Sequence, residues 1–419
     1  MRVLILSPLF PPYAQGGAEL SAQGLARWLA GKGHEVAVLT AAKGAGDEVH
    51  GEKRDGVSLY RRLFPRPYSI HLQGRGASPW LKPIWHSQDH LDPRNRRIVG
   101  SILDTVRPDI VTLHSLVGLG QNTPAALAER DIPTLYVLPD LALACLRATM
   151  FRHGRACARR CGECLVSSTL KQATLRRIPR LGFVSPSQAN LDRLAALGTL
   201  DGRPARVIAN VNAYPEARHA REASALPRFV YAGRLDAPKG VENLLQAAEA
   251  ARAEAAFTLT IIGAGGEEER LRRAFAGRDW LNFMGWLPLA DTVEAIHQAD
   301  ALCLPSLWSE NLPGAAVIAL RHGVPILASA AGGLPQLVED GVNGLLLPPG
   351  DAAAWRKALI GMVRHPQRLA AMGAAARVSG RRFDPDRLGA DYLDFMEEIR
   401  HRPPRRVDAP ENGLGLQQG

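Results

Sequence analysis

The segment 306–314 carries the residues best suited to hold a polar ligand. Glu310 stands three residues before the turn formed by Pro313 and Gly314, and a helical pattern follows the turn. A carboxylate accepts hydrogen bonds from hydroxyl groups, whereas the free N–H groups at a helix start attract anions. The spacing therefore predicts a site for a ligand that carries both sugar hydroxyls and phosphate.

Two basic side chains form a second candidate for phosphate binding. Arg234 and Lys239 lie five residues apart after a predicted strand. Arg234 has a planar guanidinium group and Lys239 has a compact ammonium group. Together these two cations suit a diphosphate. An exposed basic turn is the alternative interpretation of this pair.

Glycines after predicted strands mark further places where a backbone can approach a ligand closely. The positions are Gly16, Gly17, Gly233, Gly263 and Gly285.

Taken together, these motifs resemble the retaining glycosyltransferases of family 4 (group 1), which have the GT-B fold. The resemblance covers about residues 2–400 and is strongest over 229–349. It implies that Glu310, Arg234 and Lys239 are the catalytic residues. The Glu would accept hydrogen bonds from the donor sugar, and the two cations would stabilise the charge on the leaving nucleoside diphosphate.

The resemblance also assigns the positions that would bind a nucleotide-sugar donor. They are Gly16, Gly17, Gly233, Gly263, Gly285, Leu287, Leu312, Gly314, Ala315 and Ile318. The last of these departs from the family pattern, which has a second Glu there to grip the nucleotide ribose. An Ile side chain cannot form hydrogen bonds, and losing such a contact would weaken nucleotide binding by about 1.5–3 kcal/mol.

On the acceptor side, the resemblance assigns His114 and Asp140. Asp140 belongs to the segment 138–145, which resembles a His-Asp-aromatic-aromatic-x-x-Cys motif of cysteine-bearing family members. Here Pro139 replaces the motif's His, and neither aromatic residue is present.

These departures motivate two hypotheses besides a working transferase. One is a binding or regulatory partner that keeps the GT-B fold but has weak or lost catalysis. The other is a sugar-nucleotide epimerase on the same fold, for which the sequence shows no pair of ionisable residues flanking the sugar.

Four of the five cysteines cluster at Cys145, Cys157, Cys161 and Cys164. In a cytosolic chain this pattern favours a metal over disulfides, and four thiolates suit a tetrahedral structural zinc ion. The spacing matches no standard zinc module, so unligated thiols in an Arg-rich loop are the alternative. Catalysis is expected to need no cofactor, because Arg234 and Lys239 would hold the diphosphate.

Repeated strand–helix units predict the scaffold that positions these residues. Apolar strands alternate with helices in both halves of the 419 residues, which predicts two Rossmann-like, doubly wound α/β domains facing a cleft. The resemblance implies that residues 1–210 bind the acceptor, that 226–383 bind the nucleotide-sugar, and that a helix over 384–400 packs back on the first domain. Residues 401–419 are predicted to be disordered because they have little to bury.

The net charge of +10 restricts the partners. It suits a UDP- or GDP-linked sugar and an anionic membrane surface, which the arginines at 400, 402, 405 and 406 would contact unless the tail is simply solvated. The acceptor implied by the resemblance is a carbohydrate or a lipid-linked molecule in polysaccharide or glycolipid biosynthesis. No motif for nucleic acid is present, so none is expected as a partner.

No run of about 18 apolar residues is present, so no transmembrane helix is predicted. The first residues read as a buried strand rather than a signal peptide. We therefore expect a cytoplasmic protein, with peripheral contact to the inner membrane as an open alternative.

Overall fold

Two β-sheets, each covered by helices on both faces, organise the chain. The computed structural model describes residues 1–13, 16–72, 78–152 and 154–405. Eleven of the twelve pairings within the two sheets are parallel, as expected where strands are joined through helices. The predicted α/β fold class is confirmed.

The first sheet has eight strands in the order β10-β9-β6-β5-β1-β2-β4-β3. Its strands are β1 Arg2–Leu6, β2 Glu35–Ala41, β3 Val49–Arg54, β4 Val57–Arg62, β5 Ile110–Leu113, β6 Thr134–Val137, β9 Leu181–Ser185 and β10 Ala205–Val207. A separate two-stranded ribbon joins β7 Phe151–Arg152 to β8 Arg155–Ala156. The helices of this half are α1 Gly17–Gly31, α2 Leu81–Leu91, α3 Pro93–Val106, α4 Thr123–Ala128, α5 Gly162–Leu175 and α6 Gln188–Ala196.

The second sheet has six strands, all parallel, in the order β13-β12-β11-β14-β15-β16. They are β11 Arg228–Ala232, β12 Thr258–Ile262, β13 Leu281–Gly285, β14 Ala301–Leu304, β15 Ile326–Ser329 and β16 Gly344–Leu347. The helices are α7 Val241–Arg252, α8 Glu268–Ala274, α9 Leu289–Gln298, α10 Gly314–Arg321, α11 Ala352–Arg364, α12 Pro366–Gly380 and α13 Pro385–His401.

The last helix, α13, packs on the first sheet although it follows the second. Asp384 caps its N-terminus by accepting a hydrogen bond from the Arg387 N–H at 3.0 Å. Its buried residues join the apolar cluster formed with α1 and the first sheet. Gly389 lies so close to α1 that an added Cβ would stand 2.2 Å from the Trp28 ring. The first core is therefore completed by residues from the far end of the chain.

The described arginines at and just after the end of α13 are all ion-paired. Arg400 pairs with Glu397, Arg402 with Glu398, and Arg405 with Asp201. Arg406 and the rest of the tail predicted to be disordered, residues 406–419, lie outside the described residues. Among the helices that are described, none is both long and apolar enough to cross a bilayer.

The close approach of α13 and α1 can be tested with two matched glycine substitutions. Gly389→Ala should lower the free energy of unfolding by about 1–3 kcal/mol, because the methyl group has no room beside the indole. Gly361→Ala in α11, where nothing lies within 4 Å of an added Cβ, should be neutral or stabilising. Urea unfolding of both variants checks this, and equal effects would show that α13 does not pack as described.

Candidate functional site

Three glycines line the carboxyl edge of the second sheet. The Gly233 N–H donates to the Ile262 carbonyl at 3.0 Å, and the Gly263 N–H donates to the Gly285 carbonyl at 2.7 Å. Gly263 has φ +132°, and an added Cβ would lie 1.8 Å from the Gly233 carbonyl oxygen. Only glycine fits there, so the predicted ligand edge has an unobstructed backbone at adjacent strand ends.

The loop after β11 carries the two predicted phosphate-binding cations. Arg234 is 59% exposed and pairs with Asp236 at 3.2 Å. Lys239 ends a short 3₁₀ turn, Ala237–Lys239, and Gly240 then caps α7 with φ +67°. An added Cβ at Gly240 would lie 2.1 Å from the Pro305 carbonyl oxygen, so this loop sits directly on the loop after β14.

Glu310 lies in that second loop and is buried to 5% exposure. Its Oε1 accepts hydrogen bonds from Lys239 Nζ at 2.7 Å, Ser306 Oγ at 2.6 Å and Trp308 Nε1 at 2.8 Å. Burial alone would raise the pKa of Glu310, but the Lys239 charge and these donors outweigh it and hold the pKa below its ordinary value. The carboxylate is therefore ionised and fixed in one orientation.

The geometry of this cluster leaves hydrogen-bonding capacity unused. All three donors reach Oε1, and no described residue donates to Oε2 of Glu310. Lys239 Nζ has three N–H groups, of which one is directed at Glu310 and none at any other described side chain. It also lies 5.1 Å from the centre of the Trp308 ring. One acceptor and two donors thus stand ready for a ligand at the same point.

The start of α10 adds backbone donors beside Glu310. Gly314 begins the helix, and an added Cβ would lie 2.7 Å from the Tyr214 hydroxyl. Leu312 and Ala315 are partly buried against the apolar cluster under this helix. In the part of the chain that the structure describes, the N–H groups of Gly314 and Ala315 have no backbone acceptor, so this end of α10 can receive an anion.

Ile318 occupies the position of the second family Glu, and its side chain is core. It is 3% exposed and belongs to an apolar cluster with Tyr214, Ile262 and Val293, against which Leu287 is partly buried. Ile318 thus has a packing role in this cluster, and its predicted contact with the donor stays a prediction. The side chains around Ile318 are apolar. They do not form a polar pocket from which only the family Glu is missing.

This environment predicts the result of restoring the family residue. Ile318→Glu should destabilise the fold by about 3 kcal/mol or more, because it buries a carboxylate without a partner. Ile318→Val should cost only about 0.5–1.5 kcal/mol. Thermal unfolding compares the two, and a Glu variant as stable as wild type would mean that the pocket still accepts a charged ligand group.

The first half contributes the start of α1 to the opposite wall of the cleft. Gly16 and Gly17 are exposed at this helix end, next to residues 14 and 15, which lie outside the described residues. Glu19 follows in the first turn of α1. Burial raises its pKa, while the charge of Arg234 from the second half acts in the other direction. The charges of Glu19 and Arg234 therefore interact although they belong to different halves of the chain.

Asn311 joins the two halves at the base of the cleft. Its Oδ1 accepts a hydrogen bond from Ser187 Oγ at 2.6 Å, and its Nδ2 donates to the Leu138 carbonyl at 3.0 Å. The Gln188 N–H adds a contact to Gln336 Oε1 at 3.0 Å. Because Asn311 follows Glu310 and Leu138 begins the segment with Asp140, these bonds bring the two predicted walls of the cleft together.

Asp140 lies in the cleft wall of the first half with a perturbed carboxyl group. Burial raises its pKa to about 6, against the opposing effects of the Ala142 N–H, which donates to Oδ1 at 2.7 Å, and of the Lys171 charge. Lys171 in turn donates to the Ala142 carbonyl at 2.6 Å. The carboxyl group of Asp140 therefore changes charge near neutral pH.

The raised pKa of Asp140 makes a signed prediction for stability. Between pH 4 and pH 6 the folded protein holds a proton that the unfolded chain has released, so this residue destabilises the fold as pH rises. Asp140→Asn should therefore increase the free energy of unfolding at pH 7, by up to about 3 kcal/mol, and change it little at pH 4. Urea unfolding at both pH values tests this, and a loss of stability at pH 7 would contradict it.

His114 follows β5 and is buried to 2% exposure. Burial lowers its pKa to about 3, so the ring is neutral. The backbone N–H of His114 donates to the Leu6 carbonyl at 2.9 Å, and no described residue bonds its ring Nε2. His114 is thus a core residue in this state, and its predicted acceptor-side role stays a prediction.

The predicted zinc site is not assembled by the described residues. Cys164 Sγ lies 3.8 Å from Cys145 Sγ. No set of three or more Cys, His, Asp or Glu side chains in the described chain is arranged to hold a metal ion. A structural zinc ion at these cysteines therefore stays a prediction, with free thiols as its alternative.

The residues that join the predicted groups were not identified from the sequence. They are Glu19, Lys171, Ser187, Trp308 and Asn311. Glu19 lies close to Gly16 and Gly17, and Asn311 directly follows Glu310, so these motifs could have indicated both residues. Ser187 and Lys171 carry no local signal, since their roles depend on partners far along the chain.

Comparison with known proteins places both halves in related families. The model described as "Glycosyl transferases group 1" matches residues 226–365, and a "Glycosyl transferase 4-like domain" model matches residues 16–211.

Curated relatives align over different shares of the chain. A D-inositol 3-phosphate glycosyltransferase from Xylanimonas cellulosilytica is 31% identical over 43% of this chain and 44% of its own. A phosphatidyl-myo-inositol mannosyltransferase from Mycobacterium leprae is 32% identical over 57% of this chain and 59% of its own. The chain thus spans about half the length of these relatives. A glycogen synthase from Mycobacterium tuberculosis is 26% identical over 90% of this chain and 89% of its own.

Solved structures share the whole fold. Sucrose-phosphate synthase from Thermosynechococcus elongatus superposes with a TM-score of 0.73 at 17% identity, covering 95% of this chain and 98% of its own. Anabaena HepE in complex with UDP and glucose gives a TM-score of 0.67 at 19% identity, covering 95% and 100%. At these identities the likeness concerns the fold, which is the predicted GT-B architecture.

Proposed function

Because this chain belongs to the group 1 glycosyl transferases, we propose that it moves a hexose from a nucleoside-diphosphate sugar to an acceptor hydroxyl with retention of configuration. The observation that carries the proposal is the buried Lys239–Glu310 pair, with its unused Oε2 and ammonium N–H groups beside the start of α10. A sugar diphosphate needs acceptors for its hydroxyls and donors for its phosphates within a few ångströms. This cluster supplies both kinds.

In this proposal, Glu310 orients the donor sugar through its free carboxylate oxygen. Arg234, Lys239 and the N–H groups of Gly314 and Ala315 meet the diphosphate. As the bond to the sugar breaks, negative charge grows on the diphosphate, and fixed cations and dipoles stabilise that charge without reorganising. Gly233, Gly263 and Gly285 let the nucleotide lie against the strand ends.

The acceptor would enter from the first half, past Asp140 and the start of α1 with Gly16 and Gly17. Its hydroxyl attacks the sugar on the face that the diphosphate leaves, and the diphosphate takes the hydroxyl proton. No protein nucleophile and no metal ion take part in this scheme. The family setting suggests an acceptor in polysaccharide or glycolipid assembly, and the lipid named for the Mycobacterium leprae relative is one precedent.

Donor binding is tested by thermal-shift titration with UDP, GDP, ADP and their sugar conjugates, with and without a chelator. We expect one nucleotide to raise the melting temperature, and UDP is the first candidate because HepE binds it. The shift should be undiminished by chelator, and a drop in melting temperature with chelator alone would reveal a structural zinc ion at the cysteine cluster. A shift that disappears with chelator would overturn the metal-free scheme.

The diphosphate assignment is tested by single substitutions. Arg234→Ala and Lys239→Met should each weaken binding of the nucleoside diphosphate by about 10- to 100-fold, the scale of hydrogen bonds between charged groups. Arg273→Ala is the matched control, because Arg273 in α8 is 74% exposed on the same half. Unchanged affinity in both site variants, measured by calorimetry, would refute the assignment.

The second candidate function, a binding partner without turnover, is favoured by the apolar setting of Ile318 and by Pro139. Release of nucleoside diphosphate from the sugar donor separates the two. Wild type should release it measurably, and Glu310→Gln should release it far more slowly while still binding nucleotide. Tight binding with no release by wild type would favour the partner role.

A further inference from the structure

The outward faces of α2 and α5 carry exposed apolar side chains that the cleft does not use. We call this surface the α2/α5 face, and Trp80, which directly precedes α2, belongs to it. Its large apolar members are Trp80, Ile84, Leu91, Leu165, Val166 and Leu170, with exposures of 85%, 50%, 66%, 50%, 63% and 44%. Exposed apolar groups that cluster in this way mark an interaction surface.

The two helices lie side by side and antiparallel. His90 Nε2 and Ser167 Oγ are 3.4 Å apart, and Lys171 interacts electrostatically with His86. The inward sides of both helices are buried, at Trp85 on α2 and at Cys164 on α5. Helical periodicity then directs the exposed apolar residues of both helices away from the core, toward the same side.

The region around this face is strongly cationic. Residues 141–181 contain nine Lys or Arg residues and a single acidic residue, Glu163. Arg160 Nη1 donates to Ser168 Oγ at 2.8 Å, which holds the basic loop before α5 along the helix. Six exposed cations on α2 and in residues 141–181 form no ion pair with any described residue, namely Lys82, Arg147, Arg152, Arg155, Arg159 and Arg177. The described arginines at the end of α13, by contrast, are each neutralised by a carboxylate.

From this combination we infer that the α2/α5 face docks on the surface of a bilayer that contains anionic phospholipid. Trp, Ile, Leu and Val side chains enter the interface between headgroups and acyl chains, while Arg and Lys heads meet the lipid phosphates. A second copy of the chain fits less well, because a twofold contact would place this unpaired positive charge against itself. Nucleic acid would satisfy the charge but leave the apolar side chains in water.

This inference does not depend on the proposed transferase activity. The two meet at Lys171, which lies on α5 and donates to the Ala142 carbonyl in the segment that carries Asp140. A face seated on a bilayer would therefore border the acceptor side of the cleft.

The experiment uses the full chain and large unilamellar vesicles, without any nucleotide sugar. Co-sedimentation compares vesicles of phosphatidylcholine with vesicles in which a third of the lipid is phosphatidylglycerol. We expect binding to the anionic vesicles, weakened by salt, and a blue shift of tryptophan fluorescence that Trp80→Phe reduces. Val166→Asp should lower the vesicle partition coefficient by tenfold or more.

Val378→Asp is the matched control, because Val378 lies on a helix of the other half with the same 63% exposure as Val166. It should bind vesicles like wild type. Equal binding by the Val166 and Val378 variants, or no binding by wild type, would overturn the inference. So would a dimer in light scattering that Val166→Asp dissociates while vesicles are not bound, since the face would then join two copies.

Discussion

The buried pair of Lys239 and Glu310 is the interaction on which the rest of the site depends. Two opposite charges taken out of water stabilise a protein only when their remaining hydrogen bonds are satisfied. Ser306 and Trp308 supply two of those bonds, and the glycine at position 240 lets the two loops come close enough to form the pair. The pair then fixes where a ligand's hydroxyls and phosphates can lie. Loss of either residue would leave the charge of the remaining one buried without a partner.

The need to hold the Glu310 loop in place also explains why hydrogen bonds, rather than apolar contacts, join the two halves at the base of the cleft. Asn311 follows Glu310 directly, so its bonds to Ser187 and to the Leu138 carbonyl hold the Glu310 loop against the first half. Each bond is worth only about 1 kcal/mol, which allows the halves to separate and close again. An apolar seam of the same area would hold them together more firmly.

Much of the scaffold was predictable because its signals are local. Strands β14 and β16 are short, apolar runs between turn residues, which is the local pattern that predicts a buried strand. The hairpin strand β3 lacks this pattern because it is a mostly exposed edge with polar residues. Helix α5 has no clear amphipathic period, because it buries Ser167, Ser168 and Lys171 and exposes Leu165, Val166 and Leu170. The site differs, since Lys239 and Glu310 are 71 residues apart and Asn311 and Leu138 are 173 apart. Motif resemblance could propose such residues, but only the fold determines which of them meet, and it places Ile318 in the core.

The return of α13 to the first sheet has a consequence for the order of events during synthesis. The first half lacks part of its core until residues 385–401 have been made, although its own strands end at Val207. A nascent chain would therefore carry an incomplete N-terminal half, with the surface beside Trp28 uncovered, while the second half emerges and folds. The chain also crosses between the halves twice, once after β10 and once before α13. Any opening of the cleft must bend both crossings together, which makes them a two-stranded hinge with one axis of motion.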